Sequence, residues 1–199
     1  MSEILTINTE AGLFKEETIE PLPLYNEHHP MLQQPIPEYD LRTLPNPVMT
    51  KLVKRLKMTM KMYSGLGLSA NQCGVFERVF VIGNEDMIIP CINPKVIRVS
   101  EKMDKNNEGC LSFPGLFLKI ERPISVDVEF HNENGKLVNT TFEGLTARCF
   151  LHELDHMNGV KFIEHAKPLA VSMARQRQGK LVKQMIRINK NAKKMGNKK

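Results

Sequence analysis

The stretch His152-Glu153-Leu154-Asp155-His156 carries more information about fold and chemistry than any other part of this 199-residue chain. Positions four apart share one face of an α-helix, so both histidines can point a ring nitrogen at the same metal ion. Glu153 then leans over the adjacent open position, where a carboxylate can act as a base. The pattern predicts a hydrolytic metal site on a helix that still needs further ligands. Two solvated or core histidines would give the same five letters.

The surrounding residues predict the helix that carries this stretch. Leu145 and Cys149 continue its buried stripe, and Gly159 is placed to end it, which gives a helix from about Gly144 to Asn158. An earlier helix is predicted from Pro47, with Asn46 as its cap and apolar residues at helical spacing as far as Tyr63. Gly65 stops that pattern.

Short β-branched segments predict strands at 78–82, 88–92 and 95–99, and strict alternation predicts another at 124–131. Asn134-Gly135 predicts a two-residue hairpin turn with positive φ at both residues, returning the chain through 136–142. Together these elements predict an α+β fold, in which small antiparallel sheets pack around the central helix that carries the histidines.

Length and composition are ordinary for one globular catalytic domain, with 41% hydrophobic and 25% charged residues. We predict three parts: a Pro-rich arm at 1–38, extended or partly ordered; a catalytic domain at 39–174; and a basic helical tail at 175–199. The apolar residues of the tail predict a helix that docks by one edge and frays after Asn191. They are Leu169, Met173, Leu181, Met185 and Ile188.

Charge is concentrated at one end of the chain. The last 35 residues hold 11 Lys and Arg and no acid, whereas the rest holds 17 basic and 22 acidic side chains, so the net charge of +6 belongs to the tail. No secretory segment and no apolar run of roughly 20 residues is present. We therefore expect a cytoplasmic monomer that does not enter a membrane, with its four cysteines reduced.

Metal-dependent hydrolases that share the helical histidine pair differ in the residue that provides the third metal ligand. A thermolysin-like site needs a downstream glutamate, but Glu164 falls too close to the helix end. An extended metzincin motif needs a histidine where this chain has Phe162. The remaining soft candidate lies upstream, where Glu108-Gly109-Cys110-Leu111-Ser112 places Cys110 in a loop.

Three segments, 65–72, 108–112 and 152–156, closely resemble the three motifs of peptide deformylases in order and spacing. The resemblance covers roughly residues 29–167. It implies an enzyme that removes the formyl group from the initiator methionine of nascent peptides and releases formate. It also implies one divalent ion, Fe2+ in the cell for many members and Zn2+ or Ni2+ in others, bound by Cys110, His152 and His156.

The resemblance assigns roles to further residues. Glu153 is the general base and acid, and the Gln72 side chain and the Leu111 N–H donate to the oxyanion. The expected substrate-binding residues, some of which pair with the peptide as an added strand, are Leu66, Gly67, Gly109, Leu145 and Cys149. Cys149 is equally well read as a small core residue.

Other residues near the motifs carry expectations of their own. Glu108 and Arg122 are expected to form a buried pair that braces the Cys110 loop. Ser69 stands where the family more usually has alanine, a change expected to leave the site intact. Phe117 stands near the place of an arginine that helps bind substrate in some members, so peptide preference is expected to differ.

Two further questions stay open at this stage. The basic tail suits rRNA phosphate and predicts ribosome contact, although a solvated helix face explains it equally well. A non-catalytic peptide- or RNA-binding relative with a structural metal is disfavoured, because no fourth protein ligand is evident. A general zinc endopeptidase is the weaker enzymatic alternative.

Overall fold

The computed structural model describes residues 19–84 and 86–196. Its three α-helices are α1 (Pro47–Met62), α2 (Gly144–Met157) and α3 (Pro168–Gly196). Short 3-10 helices lie between them, at Pro30–Gln33, Leu41–Thr43, Ala70–Cys73 and Phe162–His165.

Within the described residues, all strand pairs are antiparallel, and they form two sheets. The larger sheet has the order β1-β2-β3-β6-β7, with β1 (Gly67–Ser69), β2 (Val79–Gly83), β3 (Ile88–Val99), β6 (Ser125–His131) and β7 (Leu137–Glu143). The smaller is a hairpin of β4 (Met103–Gly109) and β5 (Phe117–Pro123). The predicted α+β class is confirmed. The segments predicted separately at 88–92 and 95–99 form one strand, β3, whose register shifts beside Asn93.

Strand β2 explains how the helices are arranged around the larger sheet. Val79 and Val81 belong to the apolar cluster around α1, whereas Phe80 and Ile82 belong to the cluster around α2. A strand buried on both faces reads as a continuous apolar run, as β2 does. The sheet is therefore covered by α1 on one face and by α2 on the other.

The predicted start of α1 is confirmed in atomic detail. The side chain of Asn46 accepts a hydrogen bond from the Met49 N–H at 2.8 Å, and Pro47 occupies the first turn. The apolar stripe of α1 then packs on the sheet through Met49, Val53, Leu56 and Met60.

The prediction of the turn type between β6 and β7 is wrong. Only Gly135 takes a positive φ, at 77°, and Asn134 does not. The loop instead begins at Asn132, whose side chain accepts hydrogen bonds from the Asn134 and Lys136 N–H groups at 3.0 Å each. The asparagine side chain replaces a backbone acceptor, which permits a wider loop.

The described part of the arm lies on the core, because Leu22, Leu32 and Ile36 are fully buried. Residues 1–18, which the predicted arm includes, lie outside the described residues. Within residues 19–84 and 86–196, no helix has the length and apolarity to cross a membrane.

Helix α3 differs from its prediction in two ways. It continues to Gly196, five residues beyond the predicted fraying point. Leu169, Met173 and Leu181 are exposed, so they do not form its docking edge. Contact is made by Val171 and Ala174 against the cluster around Phe113, while the predicted Met185 and Ile188 side chains lie outside the described set.

Candidate active site

Helix α2 and the turn after β4 bring three candidate metal ligands together. His152 and His156 lie one helical turn apart, with ring centroids 5.1 Å from each other. Cys110 follows directly after β4, and its Sγ lies 3.2 Å from Nε2 of His156. The ligand atoms of the three residues all lie within 4.8 Å of one another. One ion can therefore contact all three.

The donor set fits a divalent transition metal. One thiolate and two imidazoles match three-ligand catalytic sites that keep a further position open. The other ring nitrogen of His152, Nδ1, lies 3.2 Å from a carboxylate oxygen of Glu108. Such a partner fixes the ring and its tautomer, so that Nε2 remains available as the ligand atom.

The pKa shifts of the two histidines indicate that the cluster of Cys110, His152 and His156 favours a bound positive charge. Burial acts to lower the pKa of His152, but hydrogen bonds to Cys110 and Glu108 outweigh burial and raise the pKa to about 10. Burial holds the pKa of His156 well below its usual value, so this imidazole is neutral. A divalent ion at this cluster would supply the positive charge that Cys110 and Glu108 favour.

Beneath the ligands lies a buried ionic cluster centred on Glu108. Arg122 donates two hydrogen bonds to its carboxylate, at 2.8 and 3.0 Å, and Arg148 donates a third at 2.8 Å. Arg122 also pairs with Asp155 at 2.8 Å. The predicted Glu108–Arg122 pair is confirmed. Sequence reasoning missed the roles of Arg148, which lies one helical turn before the histidine motif, and of Asp155, which lies within it.

Glu153 lies beside the ligand cluster with only 4% of its surface exposed. Its Oε2 accepts a hydrogen bond from Ser69 Oγ at 2.6 Å. Burial raises the pKa of its carboxyl, against the opposing influence of His152 and the Ser69 hydrogen bond. This environment suits a group that must both take up and release a proton.

Gly67 allows the β1 backbone to approach this carboxylate. A Cβ on Gly67 would lie 2.8 Å from Glu153 Cγ and 2.8 Å from Cys149 Sγ. No side chain fits there without moving its neighbours, so this position is restricted by contact rather than by backbone angle.

Gln72 reaches the same cluster from the 3-10 helix after β1. Its Oε1 accepts from the Ser69 N–H at 2.9 Å, which leaves the amide nitrogen facing the ligands. That nitrogen donates to Ser112 Oγ at 3.1 Å and lies 3.4 Å from Cys110 Sγ. The side chain is 1% exposed, so its orientation is fixed by these contacts.

A cavity of about 670 Å³ opens in front of these groups. Its lining includes every predicted catalytic and substrate-binding residue, namely Leu66, Gly67, Gln72, Gly109, Leu111, Leu145, Cys149 and Glu153. Leu66 and Leu145 are 47% and 63% exposed, so they lie at the mouth rather than the floor. For Leu145 this differs from the predicted buried stripe, because residues 144–146 at the start of α2 are all exposed and burial begins at Ala147.

The position of Cys149 is compatible with both interpretations made from the sequence, and its substrate-binding role stays a prediction. It lines the cavity and also packs against the cluster around α2. Its thiol donates to the Leu66 carbonyl at 3.1 Å, and burial raises its pKa well above the usual value. It is therefore a neutral wall residue and not a ligand.

Phe117 lies at the rim of the cavity. Its ring is 61% exposed and lies across the backbone of Gly109, its partner in the β4–β5 hairpin, where a Cβ would come within 2.6 Å of the ring. This part of the rim is therefore an exposed aromatic surface.

A family profile and the sequences of known proteins both match this chain, and the matches belong to one family. The polypeptide deformylase profile matches residues 21–172, which includes the described arm from Pro21 onward. Peptide deformylase of Thermotoga neapolitana is 39% identical over 127 residues, covering 64% of this chain and 77% of that protein. The Rhizobium meliloti enzyme is 38% identical over 159 residues, covering 74% and 91%.

Solved structures agree with the sequence matches. A peptide deformylase from Legionella pneumophila superposes with a TM-score of 0.75 at 30% identity, covering 84% of this chain and 98% of that one. The Synechococcus elongatus enzyme in complex with actinonin gives 0.74 at 34% identity, covering 80% and 86%. With the site geometry, these matches establish that the chain belongs to the polypeptide deformylase family.

Proposed function

We propose that this enzyme removes the N-formyl group from nascent peptides with Glu153 as the proton carrier and Cys110, His152 and His156 as the ligands of one divalent ion. The observation that carries this proposal is the buried Glu153 carboxylate, which borders both the ligand cluster and the cavity. A purely structural metal site would have no use for a carboxylate in this position.

The ion, when bound, supplies Lewis-acid chemistry by acidifying a water molecule and polarising the formyl oxygen. One thiolate and two neutral imidazoles leave such a dication with a net charge near +1, which preserves much of that effect. The protein contributes the fixed positions of the three ligands. Glu108 orients His152 for this purpose.

Glu153 accepts a proton from the attacking water and later delivers it to the departing amine. Its burial raises the affinity of the carboxyl for a proton, and Ser69 holds one carboxylate oxygen in place. The second oxygen, Oε1, lies on the side of Gly67, toward the cavity. One carboxyl can therefore serve as base and then as acid.

Negative charge develops on the formyl oxygen as water attacks, and Gln72 is positioned to stabilise it. Its amide nitrogen lies next to Cys110, and its oxygen is already occupied by the Ser69 N–H. The Leu111 N–H is the second proposed donor, since Leu111 follows Cys110 directly and lines the cavity. Donors fixed before the reaction stabilise the transition state without reorganisation.

The methionine side chain fits the apolar part of the cavity, between Leu66, Leu145 and Cys149. The peptide then extends along Gly67, because β1 is an edge strand of the larger sheet.

We propose Fe2+ as the native ion, with Zn2+ or Ni2+ able to replace it.

The function is tested by assaying formate release from formyl-Met-Ala-Ser after anaerobic purification and loading with Fe2+, Ni2+ or Zn2+. Acetyl-Met-Ala-Ser is the matched control. We expect formate from the first peptide and no acetate from the second. Failure to release formate with all three ions would exclude the activity, and internal cleavage of either peptide would favour an endopeptidase.

We further propose that the basic residues of α3 from Lys180 onward contact ribosomal RNA in the cytoplasm, with the enzyme acting as a monomer. Lys180 and Lys183 are exposed, and opposite charge attracts them to phosphate. Replacing both by glutamine and truncating after Gln184 should reduce ribosome co-sedimentation at low salt. Unchanged co-sedimentation would exclude this contact.

A further inference from the structure

Arg175, in the second turn of α3, joins three separate parts of the chain. Its guanidinium donates to Glu27 Oε1 at 2.8 Å and also pairs with Glu27 Oε2. It donates to Gln178 Oε1 at 3.1 Å and lies 5.6 Å from the centre of the Phe113 ring. The side chain is 33% exposed and that of Glu27 is 18% exposed, so the pair is partly shielded from solvent.

The Glu27 side of this contact belongs to the cavity wall. Leu24, Tyr25 and Asn26, which precede Glu27, all line the cavity. The Tyr25 N–H donates to the backbone carbonyl of Gln72 at 2.9 Å. The arm thus lies directly against the segment that carries the proposed oxyanion donor.

The Phe113 side belongs to the turn that follows Cys110. Phe113, Pro114 and Gly115 also line the cavity. Gln178 donates to the Pro114 carbonyl at 2.7 Å and accepts a hydrogen bond from Arg175. Gln178 and Arg175 therefore both connect this turn to α3. The outer wall therefore has two segments, the arm and the turn, and one guanidinium contacts both.

Neither wall segment has regular β-sheet pairing to hold it. Residues 21–29 contain no strand, and residues 113–116 form a turn between β4 and β5. Segments with few backbone hydrogen bonds open most easily, so side-chain contacts decide how long they stay in place. A two-point arginine–carboxylate pair fixes both distance and orientation.

We propose that Arg175 is a positioning residue for substrate binding: through Glu27 and Phe113 it holds the arm and the turn after Cys110 as the outer wall of the substrate cavity. This role rests on the proposed deformylase function. Arg175 does not line the cavity or contact the reacting atoms, so its loss alters KM and leaves kcat and metal content unchanged.

The test compares Arg175→Ala with Arg177→Ala, a matched control on the same helix with an exposed arginine. Glu27→Gln is a second variant, which breaks the pair from the arm and keeps α3 intact. For formyl-Met-Ala-Ser, we expect KM to rise about fivefold in Arg175→Ala and Glu27→Gln and to stay unchanged in the control. The double variant should be no worse than either single variant, because both remove one interaction.

Hydrogen exchange of the Tyr25 amide and its neighbours at 22–28 gives a readout that does not need activity. We expect faster exchange in Arg175→Ala and Glu27→Gln and wild-type exchange in Arg177→Ala. Unchanged exchange, or faster exchange with an unchanged KM, would overturn the positioning role. If the wild type releases no formate, the proposed function fails, and exchange together with binding of Met-Ala-Ser still decides whether Arg175 holds the wall.

Discussion

Replacing Glu108 by glutamine tests the ionic cluster that supports the proposed metal site. Glu108 accepts hydrogen bonds from Arg122 and Arg148 and orients His152. Glutamine keeps the volume and one acceptor oxygen but removes the negative charge. Two buried guanidinium groups then lose their shared counter-ion, an arrangement that is costly in a protein interior.

The size of the effect follows from the pKa of Glu108. Burial acts to raise this pKa, but hydrogen bonds from His152 and Arg122 outweigh burial and lower it from 4.5 to about 2. At 1.36 kcal/mol for each pKa unit, this difference corresponds to about 3 kcal/mol of folding stability. Because the folded-state pKa is depressed, the contribution is present above pH 4.5 and is lost as pH falls toward 2.

Urea denaturation in the presence of a chelator measures this contribution without the effect of metal binding. We expect the free energy of unfolding of Glu108→Gln to be lower by about 3 kcal/mol at pH 7. The difference from wild type should shrink steadily below pH 4.5. Glu121→Gln, an exposed glutamate on β5, is the control and should change stability by less than about 0.5 kcal/mol.

Two results would refute this reasoning. One is a Glu108→Gln variant as stable as the control at pH 7, which would mean that the arginines find other partners. The other is a stability difference that stays constant from pH 7 to pH 3, which would mean that the charge of Glu108 is not its source. Zinc affinity is an independent readout and should fall by about 10- to 100-fold, because His152 loses its orienting partner.

Three other substitutions test the roles around the cavity. Glu153→Gln should keep one metal ion per chain by elemental analysis and lower formate release by about 10²- to 10⁴-fold; activity near wild type would exclude Glu153 as the proton carrier. Gly67→Ala should lower kcat/KM by more than tenfold, because the new methyl group collides with Cys149 and Glu153, whereas Gly179→Ala on open helix surface should not. Phe117→Arg should raise kcat/KM for formyl-Met-Asp-Glu relative to formyl-Met-Lys-Lys, and an unchanged ratio would show that peptide side chains do not reach this rim.

Local sequence patterns correctly predicted the helices and strands that are determined by residues close to one another in the chain. Asn46 and Pro47 mark the start of α1 because a cap acts within three residues. Strand β6 was predicted because its apolar residues alternate with the period of a strand, and β2 because it is a short, continuous run of apolar residues. The two histidines of α2 needed only the helical repeat to be placed on one face.

Strands β4 and β5 were not predicted, and their burial explains why. Of the seven residues of β4 only Glu108 is buried, so the strand has no apolar alternation to reveal it. Strand β5 does alternate, but one of its buried positions is Arg122, which reads as a surface residue unless its partners are known. A strand stabilised by a buried ionic cluster cannot be found from hydrophobic period alone.

The docking of α3 was predicted on the wrong side for a related reason. The helix contacts the body of the protein through Val171, Ala174, Arg175 and Gln178 rather than through Leu169 and Met173. An amphipathic pattern predicts a docking face only when apolar burial dominates the contact. Here specific hydrogen bonds to Glu27 and Pro114 add to a small apolar contact.

The two buried glutamates show how the surroundings assign different roles to the same side chain. Glu108 has two arginines and one histidine around it, so it stays ionised and its pKa falls to about 2. Glu153 is equally buried, but among the described residues only the Ser69 hydroxyl donates a hydrogen bond to its carboxylate, so burial raises its pKa instead. A carboxylate held permanently ionised can orient a ligand but cannot exchange protons near neutral pH. Environments that move two pKa values apart in this way are typical of sites that separate a structural acid from a catalytic one, and this difference supports the proposal that Glu153 transfers the proton.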